Sequence, residues 1–228
     1  MVQWIERSPP KAKIVVRFHM GAQKIMDKQA ALQKLEEEMR SDKSLQLDTN
    51  LVFGEGNLDC AVMFIGEAPG EQEDTQKRPF VGRGGQLLNK MIEKIGWKRE
   101  DVYITNIVKR RPPNNRDPLP EEIEAYKPYL TKQIEIINPK IVATLGRFSM
   151  NYFNPNLKIS RDHGKVFRLN ASRRPTAEGV LGMNGRLLVP FFHPAAVLRN
   201  PNLLGEYEKE FKKLPKIVEK FDELLNSN

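Results

Sequence analysis

Apolar residues in this chain fall into short unbroken runs, and helix-spaced patterns lie between them. The run Cys60–Ile65 contains six consecutive apolar residues and stops at Gly66-Glu67-Ala68-Pro69-Gly70. A run without polar alternation suits a strand covered on both faces, as in the parallel sheet of an α/β protein. Asp101–Val108, Ile141–Leu145 and Leu187–Phe192 repeat the theme, and Leu51-Val52-Phe53 reads as a short strand ended by the turn residues 54–57. Helical spacing of apolar residues covers 22–40, 86–95, 121–137, a short piece to Phe153 and a long closing segment, 203–225. Pro120 and the acidic residues after it mark the start of the third of these. The strand and helix alternation predicts an α/β fold, a three-layer α/β/α sandwich around a central four-stranded, largely parallel sheet. Residues 1–21 read as an N-terminal extension and 22–228 as a single domain, while 156–185 is polar and irregular, a loop or small hairpin.

Composition narrows the setting. The chain has 228 residues, enough for one well-buried core, and 37 Lys and Arg against 29 Asp and Glu give a net charge of +8. That balance favours a polyanionic partner. Cys60 is the single cysteine, so no disulfide forms within the chain, and its place inside an apolar run reads as a buried filler. No apolar stretch is long enough to span a membrane, and the N-terminus lacks a signal-peptide pattern, so the expectation is an intracellular protein.

The candidate chemistry lies at strand ends. Glu67, Glu71, Glu73 and Asp74 gather after the first run, Asn106 near the end of the second, and His193 after the last. In an open α/β sheet, ligands bind outside the carboxyl ends of the strands, so these groups converge on one edge. Lys109-Arg110-Arg111-Pro112-Pro113-Asn114-Asn115-Arg116 forms a basic loop, and Gly84-Gly85 at a helix start leaves room for a phosphate.

Five motifs in order carry a family resemblance: Gly-Glu-Ala-Pro-Gly (66–70), Arg-Pro-Phe-Val-Gly-Arg (78–83), Tyr-Ile-Thr-Asn (103–106), Arg-Pro-Pro-Asn-Asn-Arg (111–116) and His-Pro-Ala-Ala-Val-Leu-Arg (193–199). Over 49–199 the chain resembles the family-four, thermostable-type uracil-DNA glycosylases. The resemblance implies hydrolysis of the bond between uracil and deoxyribose in DNA, with the nucleotide flipped out of the stack. It implies a base pocket from Gly66, Ala68, Pro69 and Gly70, with Phe80 stacking on the base and Asn106 pairing with its N3–H and O4. His193 would donate to the uracil O2, and Glu67 and Glu73 would orient water and oppose the cationic sugar. Their roles are not apportioned, because the water-positioning aspartate of the best-known uracil glycosylase family corresponds to Ala68. Arg83, Lys109, Arg111, Asn115, Arg116 and Arg199 would contact DNA, with Val197 or Leu198 as the apolar wedge. The implied partner is DNA, single- or double-stranded and containing uracil, and the protein would act as a monomer.

The chain also departs from that family, which carries a [4Fe-4S] cluster on four cysteines. Those positions fall at about Met39, Asp42, Arg110 and Tyr126, and Cys60 is at none of them. A cluster needs thiolate ligands, so no iron–sulfur cluster and no other cofactor is expected. An Arg110–Asp42 pair and packing of Tyr126 on Met39 are expected in its place. Lys77 stands where a glycine is common, and Asn170–Gly185 and the first 21 residues lie outside the match. Two other readings fit the residues: a DNA-binding member with weak or no catalysis, and a glycosylase for another deaminated base. Retention of Glu67, Phe80, Asn106 and His193 together favours an enzyme.

Overall fold

The computed structural model describes residues 10–169 and 185–226, with side chains from residue 23 onward. Six strands form one sheet: β1 (Glu55–Gly56), β2 (Val62–Gly66), β3 (Tyr103–Asn106), β4 (Ile141–Leu145), β5 (Phe167–Leu169) and β6 (Arg186–Phe191). Their order is β1-β3-β2-β4-β6-β5. The inner four are mutually parallel, as expected, and β1 and β5 pair antiparallel at the edges, so the sheet has six strands rather than four. The edge strands span two and three residues, too short to give an apolar run. Leu51–Phe53 is not a strand: its one ladder-like bond runs from Val52 N–H to the Lys109 carbonyl, at 2.8 Å.

Alternate residues of each inner strand go to opposite faces, and every one is buried. Met63, Ile65, Tyr103, Val142 and Leu188 pack with α1 (Pro10–Ser41), α4 (Pro120–Ile137) and α5 (Arg147–Phe153). Val62, Phe64, Ile104, Ala143, Val189 and Phe191 pack on the other face, against α3 (Arg83–Lys94) and the C-terminal helices. The layers are therefore helix, sheet, helix. The acidic corner itself forms α2 (Glu71–Gln76), closed by Lys77 in the left-handed region at φ 55°, a conformation that glycine adopts more readily.

Three other segments differ from the sequence reading. α1 runs unbroken across residue 21, where β-branched Ile14, Val15 and Val16 had weakened the helical signal. Residues 156–169 contain α6 (Ile159–Asp162) and β5, whereas 170–184 lie outside the described residues. The closing helix is broken into α8 (Leu204–Phe211), α9 (Leu214–Glu219) and α10 (Phe221–Asn226). Pro215, in the first turn of α9, has no N–H to continue α8. Between β6 and α8 sits α7 (Pro194–Arg199).

Candidate active site

At the carboxyl ends of the parallel strands a cleft of about 330 Å³ opens, and Glu67, Phe80, Asn106, His193 and Arg199 are among the residues lining it. That is the size of a small-molecule pocket. The strand-end residues singled out from sequence therefore do meet.

Strand register sets the floor. Gly66 is the parallel partner of Asn106, so the two lie side by side at the ends of β2 and β3. A Cβ on Gly66 would overlap both the Asn106 side-chain oxygen and the Phe80 ring, so only glycine lets the three meet. Asn106 is 1% exposed, and its Oδ1 has no hydrogen-bond partner among the described residues. A buried acceptor left in this way costs stability unless a ligand satisfies it. Phe80 is buried too, with φ at 51°, and its carbonyl abuts Gly85 so closely that a Cβ there would overlap it.

Glu67 leaves β2 toward the start of α5, where Oε1 accepts from the Phe148 N–H at 3.3 Å. Gly146 precedes α5 with φ 103°, and a Cβ at that point would overlap the Glu67 carboxylate. Burial pushes the Glu67 carboxyl up to about 7, reinforced by Asp117 and opposed by the Phe148 bond, Arg147 and Arg199. His193 follows β6, and its Nδ1 accepts from the Ala195 N–H at 3.2 Å. Burial, together with the Arg199 charge, pulls the imidazole down to about 4, so the ring is neutral at ordinary pH. A neutral ring whose Nδ1 accepts carries its proton on Nε2, leaving Nε2–H as its one donor.

Glu73 takes a different position from Glu67. Its Oε1 accepts from the N–H groups of Val81 and Gly82, at 2.9 and 2.8 Å, and so holds the loop that carries Phe80. Ala68, Pro69 and Gly70 line the same wall of the cleft.

The basic residues separate into two groups. Arg83 and Arg199 are exposed at the cleft, and Asn115 is exposed with φ 54°, holding Arg111 Nε at 2.7 Å. Arg116 lines the cleft but is paired with Glu122, whose carboxylate also caps α4 at Leu119 N–H. Lys109 is not a DNA contact. It is fully buried, its Nζ donating to Thr105 Oγ1 and to Gln133 Oε1, and burial drives its amine well below the usual lysine range. The backbone beyond β3 stays bonded alongside β2, Ile107 N–H to the Gly66 carbonyl and Val108 N–H to the Glu67 carbonyl, and at even spacing Lys109 falls on the same face as Thr105. Val197 is corrected as well. It is 1% exposed because the segment is helical, and the next residue, Leu198, is the one turned outward at 46% exposure.

Of the four positions expected in place of the cluster cysteines, Met39 and Tyr126 are buried within one apolar cluster, and the Arg110 charge opposes the rise that burial gives the Tyr126 phenol. The expected Arg110–Asp42 pair does not form: Asp42 Oδ2 accepts from Tyr129 O–H at 2.5 Å, and Arg110 donates to the Thr49 carbonyl. A thioether, a carboxylate, a guanidinium and a phenol do not fit an iron–sulfur cluster. Cys60 is buried elsewhere, and burial pushes its thiol up to about 12.

Sequence reasoning missed Gly146 and Arg99, which contact Glu67 and the Phe80 loop through tertiary approach alone. A glycine directly after the apolar run 141–145 was the local sign of the first.

Fold and site together define the class: an α/β protein with a cleft at the carboxyl ends of its parallel strands, lined by an amide, an imidazole and a carboxylate. The family model of the Uracil DNA glycosylase superfamily matches residues 53–221, and the chain belongs to that superfamily. A "Type-4 uracil-DNA glycosylase" of Sulfurisphaera tokodaii is 44% identical over 197 residues, covering 82% of this chain and 85% of the relative. One from Archaeoglobus fulgidus is 44% identical, covering 75% and 84%, and one from Saccharolobus solfataricus is 48% identical, covering 72% and 74%.

Proposed function

We propose that this chain is a uracil-DNA glycosylase that hydrolyses the N-glycosidic bond of deoxyuridine in DNA, releasing uracil and leaving an abasic site. The observation that carries the reading is the buried Asn106 Oδ1, without a hydrogen-bond partner among the described residues, beside the Phe80 ring. An acceptor and an NH₂ side by side on one amide match the N3–H and O4 edge of uracil, whereas cytosine presents the reverse pattern. Phe80 stacks on the base. His193 Nε2–H donates to O2, where negative charge collects as the C1′–N1 bond breaks and its electron pair leaves with the base. The ionised Glu67 carboxylate opposes the oxocarbenium-like sugar, orients the water whose oxygen adds to C1′ and accepts the proton that this water gives up. Glu73 serves by holding the Phe80 loop.

Arg83, Arg199 and Arg111 with Asn115 take the phosphates, and Leu198 is the wedge that fills the emptied stack. The protein works as a monomer, in the compartment that holds its DNA, without an iron–sulfur cluster, because the donor set at the cluster positions lacks thiolates. Among the described residues, no helix is long and apolar enough to cross a membrane.

The test is incubation with single-stranded and duplex oligonucleotides that contain uracil, hypoxanthine or no lesion. Abasic product from uracil substrates is expected, abolished by Asn106→Ala. Absence of abasic product from the uracil substrates would overturn the reading.

A further inference from the structure

We propose that Arg99 is a positioning residue for Phe80, clamping the loop that presents the stacking ring; the role assigned to that ring rests on the glycosylase reading above. Arg99 begins a 3-10 turn at the foot of β3, and Lys98 N–H bonded to Asp101 Oδ2 at 2.7 Å closes the turn. From there its guanidinium reaches under the loop. Nη2 donates to the Pro79 carbonyl at 2.5 Å, and Nη1 to the Phe80 carbonyl at 3.4 Å and to Asn89 Oδ1 at 2.7 Å. Nε and Nη2 both donate to Glu55 Oε1, at 3.0 and 2.8 Å. These bonds use the five-donor capacity of the planar fork, which no lysine offers.

Two features give the clamp a purpose. Phe80 holds φ at 51°, a conformation that a phenylalanine rarely adopts without being forced. The loop is also gripped from its other side, where the Glu73 carboxylate accepts from Val81 and Gly82 N–H. The cation therefore takes the loop carbonyls and the anion takes its amides, each matched to one pole of the peptide groups. Glu55, in turn shared between Arg99 and Arg78, fixes the guanidinium from the sheet edge. Strand β1 spans two residues, and this anchorage gives it a function that its length does not suggest.

The test uses the full chain and its variants Arg99→Gln and Arg99→Lys. Amide exchange at Val81 and Gly82 is expected to rise about tenfold in both, with β4 exchange unchanged. Single-turnover cleavage of uracil DNA is expected to fall about 10- to 100-fold, with weaker inhibition by free uracil and unaltered affinity for lesion-free duplex. Lysine would not rescue, because the fork and not the charge is required. Unchanged loop exchange overturns the clamp, and an equal rise in β4 exchange reduces Arg99 to a general structural role, which also overturns it. If the wild type makes no abasic product, the glycosylase reading falls, while the exchange result still decides whether Arg99 holds Phe80.

Discussion

The rings of Phe80 and His193 both line the cleft, with centroids 5.9 Å apart and planes inclined at 36°. A third ring stacked between two others needs about 7 Å, twice the contact distance. On the proposed reading a base therefore lies on Phe80 alone and meets His193 at its edge, one ring stacking and the other donating a hydrogen bond at O2.

The neutral state of His193 is testable. With its pKa pulled to about 4 by burial, the ring keeps Nε2–H and carries no charge across the assay range. His193→Ala is expected to lower kcat by about 10²- to 10³-fold. The factor between wild type and variant should stay constant from pH 5 upward, as read by single-turnover pH profiles. A ratio that changes tenfold near pH 6.5 would mean a charged imidazole in the free enzyme.

Glu67 supplies the pH dependence. Its carboxyl, raised by burial to about 7 from an ordinary 4.5, is protonated below that value and ionised above it. The log of kcat/KM is expected to rise with pH through about 7 and then level off, and Glu67→Gln to remove this limb while lowering the plateau about 10²-fold or more. The stability sign is opposite. A carboxyl whose folded pKa is raised favours folding fully below the unfolded value of 4.5, and that contribution is lost as pH rises through 7. Glu67→Gln should therefore gain stability over the wild type as pH rises from about 4.5 to about 7 and keep a constant advantage above that, as read by denaturant midpoints.

Gly66→Ala probes the packing of the pocket. The added methyl meets Asn106 Oδ1 and the Phe80 ring, neither of which can move freely within the core. Cleavage should fall about 100-fold or more, with affinity for lesion-free duplex kept, because the arginines at the rim are untouched. Retained activity would place the base elsewhere in the cleft.

Lys109 and Arg199 should separate cleanly in salt titrations. Arg199→Ala is expected to reduce the slope of log K against log salt by about 1, the signature of one phosphate contact. Lys109→Ala should leave the slope alone and lower stability by roughly 2–4 kcal/mol, since it empties a buried site and leaves Gln133 Oε1 short of a donor. A changed slope in the Lys109 variant would mean that the amine is exposed.

Much of this was legible along the chain. The runs 60–65 and 141–145 read as buried strands because inner strands of a parallel sheet are covered on both faces, and β2 and β4 are. Glu67, Asn106 and His193 were legible as a group because strand ends in such a sheet share one edge. Edge strands, the split of the closing helix and the inward turn of Lys109 were less so, since two- and three-residue ladders carry no periodicity and a lysine after an apolar run reads as surface.

The sequence by itself determined the layered α/β architecture, the strand-end chemistry and the absence of cluster thiolates, because apolar runs, motif order and cysteine count are local properties. Tertiary structure alone decided which groups work together. Register set Gly66 against Asn106, the helical turn of α7 hid Val197 and exposed Leu198, and burial made Glu67 a group that titrates near 7 and His193 a neutral donor. Desolvation and close approach depend on residues distant in the chain, such as Gly146 beside Glu67 and Arg99 beneath Phe80. No local pattern encodes those pairings.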